Sequence, residues 1–306
     1  MTEFQEYLTG EVVEDYADGI ITRREALRQL GLLGVGAAVA TPLLAACGTE
    51  PESTPDAAPG SATAAGGSSP AVPAGPSPLP TEAITFAGPE GRTLQAAWAA
   101  AAGTPKGSVL VIHENRGLTD HIRSVAGRFA ASGYSALAVD LLSAEGGTAK
   151  FADSAQATAA LNAAPDTRFV ADMKAGVGEL LRRVPDAKPA AVGFCFGGGM
   201  VWSLLAAGEP RLGAAAPFYG PLPDGADFAG SRRVAVLGVY AEQDDRVNAS
   251  RDAAKAALEK AGVTHQITTF PGAGHAFFND TGQRYNPAAA SSAYDQLLDW
   301  FGRHLT

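Results

Sequence analysis

The residues best suited to nucleophilic chemistry are Gly193-Phe194-Cys195-Phe196-Gly197-Gly198. A short apolar run at 190–194 precedes them, and a helical pattern at 197–207 follows. Glycine, one residue, cysteine, one residue, glycine between a strand and a helix is the spacing of a nucleophile elbow, with Cys where Ser is commoner. The glycines are a steric need: in so tight a turn, side chains flanking the nucleophile would collide with strand and helix. The helix start adds backbone N–H groups and a positive dipole end, which favour a thiolate and an oxyanion.

A thiol nucleophile needs a base, and the base needs a group to orient it. A predicted strand at 234–240 is followed by Ala241-Glu242-Gln243-Asp244-Asp245. Another, at 265–270, is followed by Pro271-Gly272-Ala273-Gly274-His275. The chain order nucleophile, acid, histidine suits this architecture. Either Asp244 or Asp245 could be the acid; Asp244 is preferred, because Asp245 suits a cap or turn. Glu114 follows a buried strand at 108–112 and should enter the same cleft, where a carboxylate would keep the thiol protonated. His113 and His121 have no partner at ligand spacing, so no metal is expected. His265 and His304 read as surface residues, and Asp140 as structural.

These residues require a scaffold of alternating strands and helices. Early strands are predicted at 84–87 and 94–100, with further ones at 108–112, 134–139, 190–194, 214–219, 234–240 and 265–270. Helical spacing appears at 122–132, 153–164, 168–183, 197–207, 250–261 and 288–304. Such alternation predicts one α/β domain over 81–306, with a mostly parallel sheet covered on both faces. There is no internal repeat.

The chain has 306 residues and a formal charge of −9, with 23 Lys+Arg against 32 Asp+Glu. That balance argues against a nucleic-acid partner. Two cysteines cannot build a disulfide scaffold or a four-thiolate zinc site.

Residues 1–46 look like an export signal. Arg23 and Arg24 precede an uncharged stretch at 29–49, whose apolar part, 30–46, is interrupted by Thr41 and Pro42. The pair resembles a twin-arginine signal, with Ala26 where Phe is usual. The acidic start (Glu3, Glu6, Glu11, Glu14, Asp15 and Asp18) is unusual for such a segment. Leu44-Ala45-Ala46-Cys47 resembles a bacterial lipobox, which would make Cys47 a lipid-bearing N-terminus. Residues 47–80, rich in Pro, Ala, Gly, Ser and Thr, read as a flexible tether. The expected location is extracytoplasmic, with the protein lipid-anchored to the cell membrane.

Glu114, the elbow at 193–198, Gln243-Asp244 and Gly274-His275-Ala276-Phe277 together resemble the dienelactone hydrolase (carboxymethylenebutenolidase) family, of the α/β-hydrolase superfamily, from about Thr81 to the C-terminus. The resemblance implies that fold, a Cys195–His275–Asp244 triad, and Glu114 holding the resting thiol until substrate displaces it. It places the oxyanion donors at the backbone N–H groups of Asn115 and Phe196. No cofactor is implied, and the partner is a small ester or lactone. The family's substrate-carboxylate arginine, four residues after the histidine, is Asn279 here; Arg116 or Arg284 is offered as a replacement cation. The expected activity is carboxylic ester or lactone hydrolysis through an acyl-thiol intermediate. Two rivals keep the fold: a thiol-based redox protein and a non-catalytic surface-binding lipoprotein. The oligomeric state is not legible.

Overall fold

The computed structural model describes residues 3–47 and 73–305. Most of the expected tether, residues 48–72, and the side chain of Cys47 lie outside the described residues.

Eight strands form a single sheet in the order β1-β2-β4-β3-β5-β6-β7-β8. β1 (Glu82–Ala87) and β2 (Thr93–Ala99) form an antiparallel edge, and β2 runs antiparallel to β4 (Tyr134–Asp140). The remaining pairings, through β3 (Gly107–Ile112), β5 (Pro189–Phe194), β6 (Ala214–Phe218), β7 (Ala235–Ala241) and β8 (His265–Phe270), are parallel. This is an α/β-hydrolase fold.

The inner strands β3, β4, β5, β6 and β7 are buried at every residue, as continuous Val, Ala, Leu and Ile runs require when helices cover the sheet. The covering helices carry apolar stripes at helical spacing. In α6 (Asp166–Arg183), Phe169, Met173, Val177 and Leu180 are fully buried. β3 and β5 are in register with Ile112 opposite Gly193, and β7 and β8 with Ala241 opposite Phe270. Parallel neighbours end on the same side. The segments after β3, β5, β7 and β8, which carry Glu114, Cys195, Asp244 and His275, therefore open at one sheet edge, where ligand sites of such folds lie.

Residues 3–47 form three helices. Helices α1 (Glu3–Ala17), α2 (Arg23–Leu32) and α3 (Ala37–Cys47) pack together, burying Leu8, Val12, Ala26 and Leu30. Thr22 caps α2 by accepting from the Glu25 N–H at 3.3 Å. The apolar run 30–46 is broken by a turn at Gly34, whose φ is 81°. Among the described residues, no helix is long and apolar enough to cross a membrane.

Residues 73–80, expected within the flexible tether, instead lie on the domain. Ala74 is buried, and its carbonyl accepts from Arg128 Nη1 at 3.1 Å. The Leu79 N–H donates to the Gly127 carbonyl at 3.0 Å. Their composition suggested nothing to bury; what holds them is Arg128 and a glycine on α4 (Asp120–Ala131).

Candidate active site

Cys195 sits between β5 and α7 (Phe196–Ala206) with φ 56° and ψ −119°, a backbone shape that L-residues seldom adopt. The glycines do what the spacing required. A Cβ on Gly193 would meet the Gly197 carbonyl oxygen at 2.1 Å, and one on Gly197 the Ile112 carbonyl oxygen at 2.4 Å. The bend lifts Cys195 out of the sheet at the first turn of α7. Phe196 opens that helix, with its ring packed against His113 and Phe169.

His275 stands beside it. Its Nδ1 donates to Asp244 Oδ2 at 2.6 Å, which leaves Nε2 facing the nucleophile. The Asp244 Oδ1 accepts from the Val247 N–H at 3.2 Å, capping the short helix α8 (Asp245–Asn248). One residue thus orients the histidine and caps the helix; Asp245, considered for both tasks, is exposed. Tyr219 packs edge-on to the imidazole, centroids 5.2 Å apart. Cys195, His275 and Asp244 are all buried.

Glu114 points to the same place, yet it does not hold the thiol as the resemblance implied. Its Oε2 accepts from Asn279 Nδ2 at 2.6 Å. Its backbone carbonyl takes the His113 Nδ1 proton at 2.6 Å, while His113 Nε2 accepts from the Leu141 N–H at 3.1 Å. His113 is thus a buried neutral imidazole that fixes the Glu114 backbone; burial keeps its pKa low. Asp140 is structural, tying down Leu142 and Thr148. His121 is structural too, bonded to Asp280 at 2.6 Å. His265 is half-buried rather than a surface residue.

The groups that meet the thiol come instead from α1. Tyr7 Oη lies 3.3 Å from Cys195 Sγ, and the thiol donates to Glu11 Oε2 at 3.8 Å. Glu11 Oε1 is 3.3 Å from His275 Nε2, close enough for an ion pair but out of hydrogen-bond alignment. Arg246 pairs with Glu11 and with Glu14, the latter at 3.1 Å, and lies over the Tyr7 ring at 4.4 Å. Arg284, half-buried at the rim, donates to Asp15 at 2.8 Å and to Asp18 at 2.7 Å. Arg116 is more exposed and lies 3.8 Å from Asp15. A cavity of about 180 Å³ remains, lined by Glu11, Glu114, Asn115, Arg116, Cys195 and His275 among others.

Electrostatics follow from this packing. Burial would depress the His275 pKa, but Glu11, Asp244 and Cys195 outweigh it and raise it well above the usual imidazole range. Burial pushes the Cys195 thiol up, Glu11 adds to this, and His275 opposes it. Burial would raise Glu11, but His275 and Arg246 bring it down to about 2. Cys195, His275 and Glu11 present ligand-type atoms within 4.8 Å of one another.

Sequence reasoning placed Cys195, Asp244, His275, Glu114, Asn115, Arg116 and Arg284 at one site, and the structure brings them together. It missed Tyr7, Glu11 and Arg246. The only local signal was the run of acidic residues in the first 18.

The family model "Dienelactone hydrolase family" matches residues 94–305. This chain belongs to the dienelactone hydrolase family. It is 34% identical over 208 residues to a Salmonella typhi protein described as "Putative carboxymethylenebutenolidase", covering 64% of this chain and 77% of that one. An Escherichia coli K12 protein of the same description is 33% identical, with 64% and 76% covered. Among solved structures, a Klebsiella pneumoniae "Putative Dienelactone Hydrolase" matches with a TM-score of 0.64 and 28% identity, over 74% of this chain and all of that one. The Anabaena variabilis dienelactone hydrolase matches in fold, with a TM-score of 0.59 at 19% identity, over 75% of this chain and all of that one. The matched family model begins at residue 94, well after the three N-terminal helices. By family and fold, the chain is a hydrolase.

Proposed function

We propose that this hydrolase cleaves carboxylic esters or lactones through Cys195, His275 and Asp244. The observation that carries the reading is His275, held by Asp244 at 2.6 Å and turned toward a thiol raised on a left-handed bend. In the reaction, His275 Nε2 takes the thiol proton as sulfur attacks the carbonyl carbon. The C–S bond forms and the carbonyl electrons move to oxygen. Backbone N–H groups of Asn115 and Phe196 stabilise that oxyanion, an interaction commonly worth about 3 kcal/mol per donor. Collapse breaks the C–O bond, and His275 returns its proton to the leaving oxygen. Water, deprotonated by the same nitrogen, then releases the acid from the acyl-thiol. Glu114 acts, after Glu11, as a second nearby anion that keeps the resting thiol protonated, and no cofactor is needed. Arg116 and Arg284 are the rim cations available to an anionic substrate.

The direct test is hydrolysis of an activated aryl ester by the Glu11→Ala form, in which the carboxylate against Cys195 and His275 is removed, with intact mass measured during turnover. An added acyl mass on the peptide containing Cys195, lost with activity in Cys195→Ala, is the expected result. Unchanged turnover in that variant overturns the reading.

We further propose that residues 1–46 act as a twin-arginine-type export signal, and that Cys47 carries lipid and anchors the domain to the outer face of the cell membrane. Arg23-Arg24 before an apolar stretch, and Leu44-Ala45-Ala46-Cys47, support this. Labelled fatty acid should enter the protein, and should be lost in Cys47→Ser or in the double variant Arg23→Lys, Arg24→Lys. Labelling that survives Cys47→Ser rejects the anchor.

A further inference from the structure

The geometry points to the arginine-rimmed mouth of the active site as a docking surface for the chain's own acidic helix α1: we infer that residues 3–17 are a removable cover that silences the enzyme until they are displaced or cut away. The inference rests on the hydrolase reading only for its activity arm.

Three observations converge. The first is charge complementarity. Arg246, Arg284 and Arg116 surround the mouth, and Glu11, Glu14, Asp15 and Asp18 answer them. The second is position. Glu11 and Tyr7 take the space against Cys195 Sγ and His275 Nε2 in which an acyl carbon would have to sit. Cys195 and His275 are left 3% and 1% exposed beneath α1, and what reaches them is a small cavity. The remaining cavity, about 180 Å³, is below the roughly 300 Å³ at which small-molecule sites usually begin. The third is chemistry. Glu11 favours the imidazolium and disfavours the thiolate, and a protonated Nε2 cannot accept the thiol proton. The cover therefore blocks access and arrests the proton transfer. Because it is part of the same chain, docking is unimolecular and needs no added inhibitor. A cut between α1 and the domain, such as one before Cys47, would sever the cover from the domain and make its docking bimolecular.

The test uses the full chain in three forms: intact, with Glu11→Ala, and with the double substitution Asp15→Arg, Asp18→Arg. Two rates are read: iodoacetamide alkylation of Cys195, followed by peptide mass, and hydrolysis of an activated aryl ester. Melting temperature checks that each form is folded. Both variants should raise both rates by tenfold or more. A synthetic peptide of residues 3–18 added to the double variant should reduce them again. Equal alkylation and hydrolysis in all three folded forms overturns the cover and leaves the hydrolase reading standing. Faster alkylation with no hydrolysis in any form keeps the cover and overturns the hydrolase reading.

Discussion

The sheet domain and the N-terminal helices are built by different rules. Among the described residues, the large apolar side chains left exposed are Leu27, Leu32, Val39 and Leu43, all in α2 and α3. The described part of the domain leaves none of its own so exposed, with Ile84, Trp98 and Leu298 half-buried. The N-terminal helices bury Tyr7, Leu8, Val12, Leu30 and Leu44 in one apolar cluster with the domain core, and they add ion pairs at its surface: Arg28 with Asp153, Arg246 with Glu11 and Glu14, and Arg284 with Asp15 and Asp18. Partly exposed charge pairs contribute little each, whereas full apolar burial contributes about 1.5–3 kcal/mol per large side chain. Under the cover inferred above, one part is a finished fold and the other a guest on it, and the guest must be able to leave without unfolding its host.

That contrast can be broken most sharply at the chemistry. Cys195→Ala should lower kcat/KM for an activated ester by about 10⁴-fold or more, as loss of a nucleophile in a triad does. The measurement is steady-state hydrolysis on a form whose cover has been opened. Next in size, Asp244→Asn should cost about 10²–10⁴-fold in kcat with the fold retained, because the amide favours the wrong imidazole tautomer; a loss under threefold would mean that Asp244 only caps α8.

The two regions should then separate in stability. Leu110→Ala, in the middle of β3, should cost about 2–5 kcal/mol of domain stability in urea titration. Leu8→Ala removes a side chain just as buried, but from α1. It should leave the main unfolding transition in place while accelerating Cys195 alkylation. A matching loss in the main transition would show that the helices and the domain unfold as one unit.

A gentler probe is pH. Glu11 is held at about 2, below its usual 4.5, so its share of the docking is present above 4.5 and lost as pH falls toward 2. His275 is raised well above 6.5, so its share is present below 6.5 and lost as pH climbs through the raised value. Around this pair stand Arg246, Tyr7, Cys195, Asp244 and Glu14. Hydrogen exchange of α1, referenced to intrinsic rates at each pH, should show most protection between about pH 4.5 and 6.5. Flat protection from pH 4 to 9 would remove the Glu11–His275 pair as an anchor. The smallest effect is expected from Asn279→Ala. Freeing Glu114 should slow alkylation of Cys195 a few-fold in an opened form, with no change in melting temperature beyond about 1 kcal/mol equivalent.

Much of this was legible locally. The elbow declares itself because steric need dictates glycine at fixed places, and buried parallel strands announce themselves as short Val, Ala and Leu runs. Asp244 and His275 were found because each follows a strand. What escaped was contact across distance. Glu11 reaches Cys195 over 184 residues, and no periodicity records such a meeting. The composition of residues 3–47 suggested an address and gave no sign of the helices they form, and the acidic run registered as an oddity without a use. Asn279 looked like a missing arginine; its partner, Glu114, lies 165 positions away. Residues 73–80 looked featureless because what fixes them is Arg128, elsewhere in the chain.

The backbone at Cys195, with φ 56°, is one that glycine accepts easily and cysteine does not. Alanine at this position keeps the discomfort, while glycine would relieve it, so the Gly variant should melt above the Ala variant. The chain thus carries a spring at its centre that only a nucleophile justifies, and a lineage that lost the need for turnover would be free to let it relax.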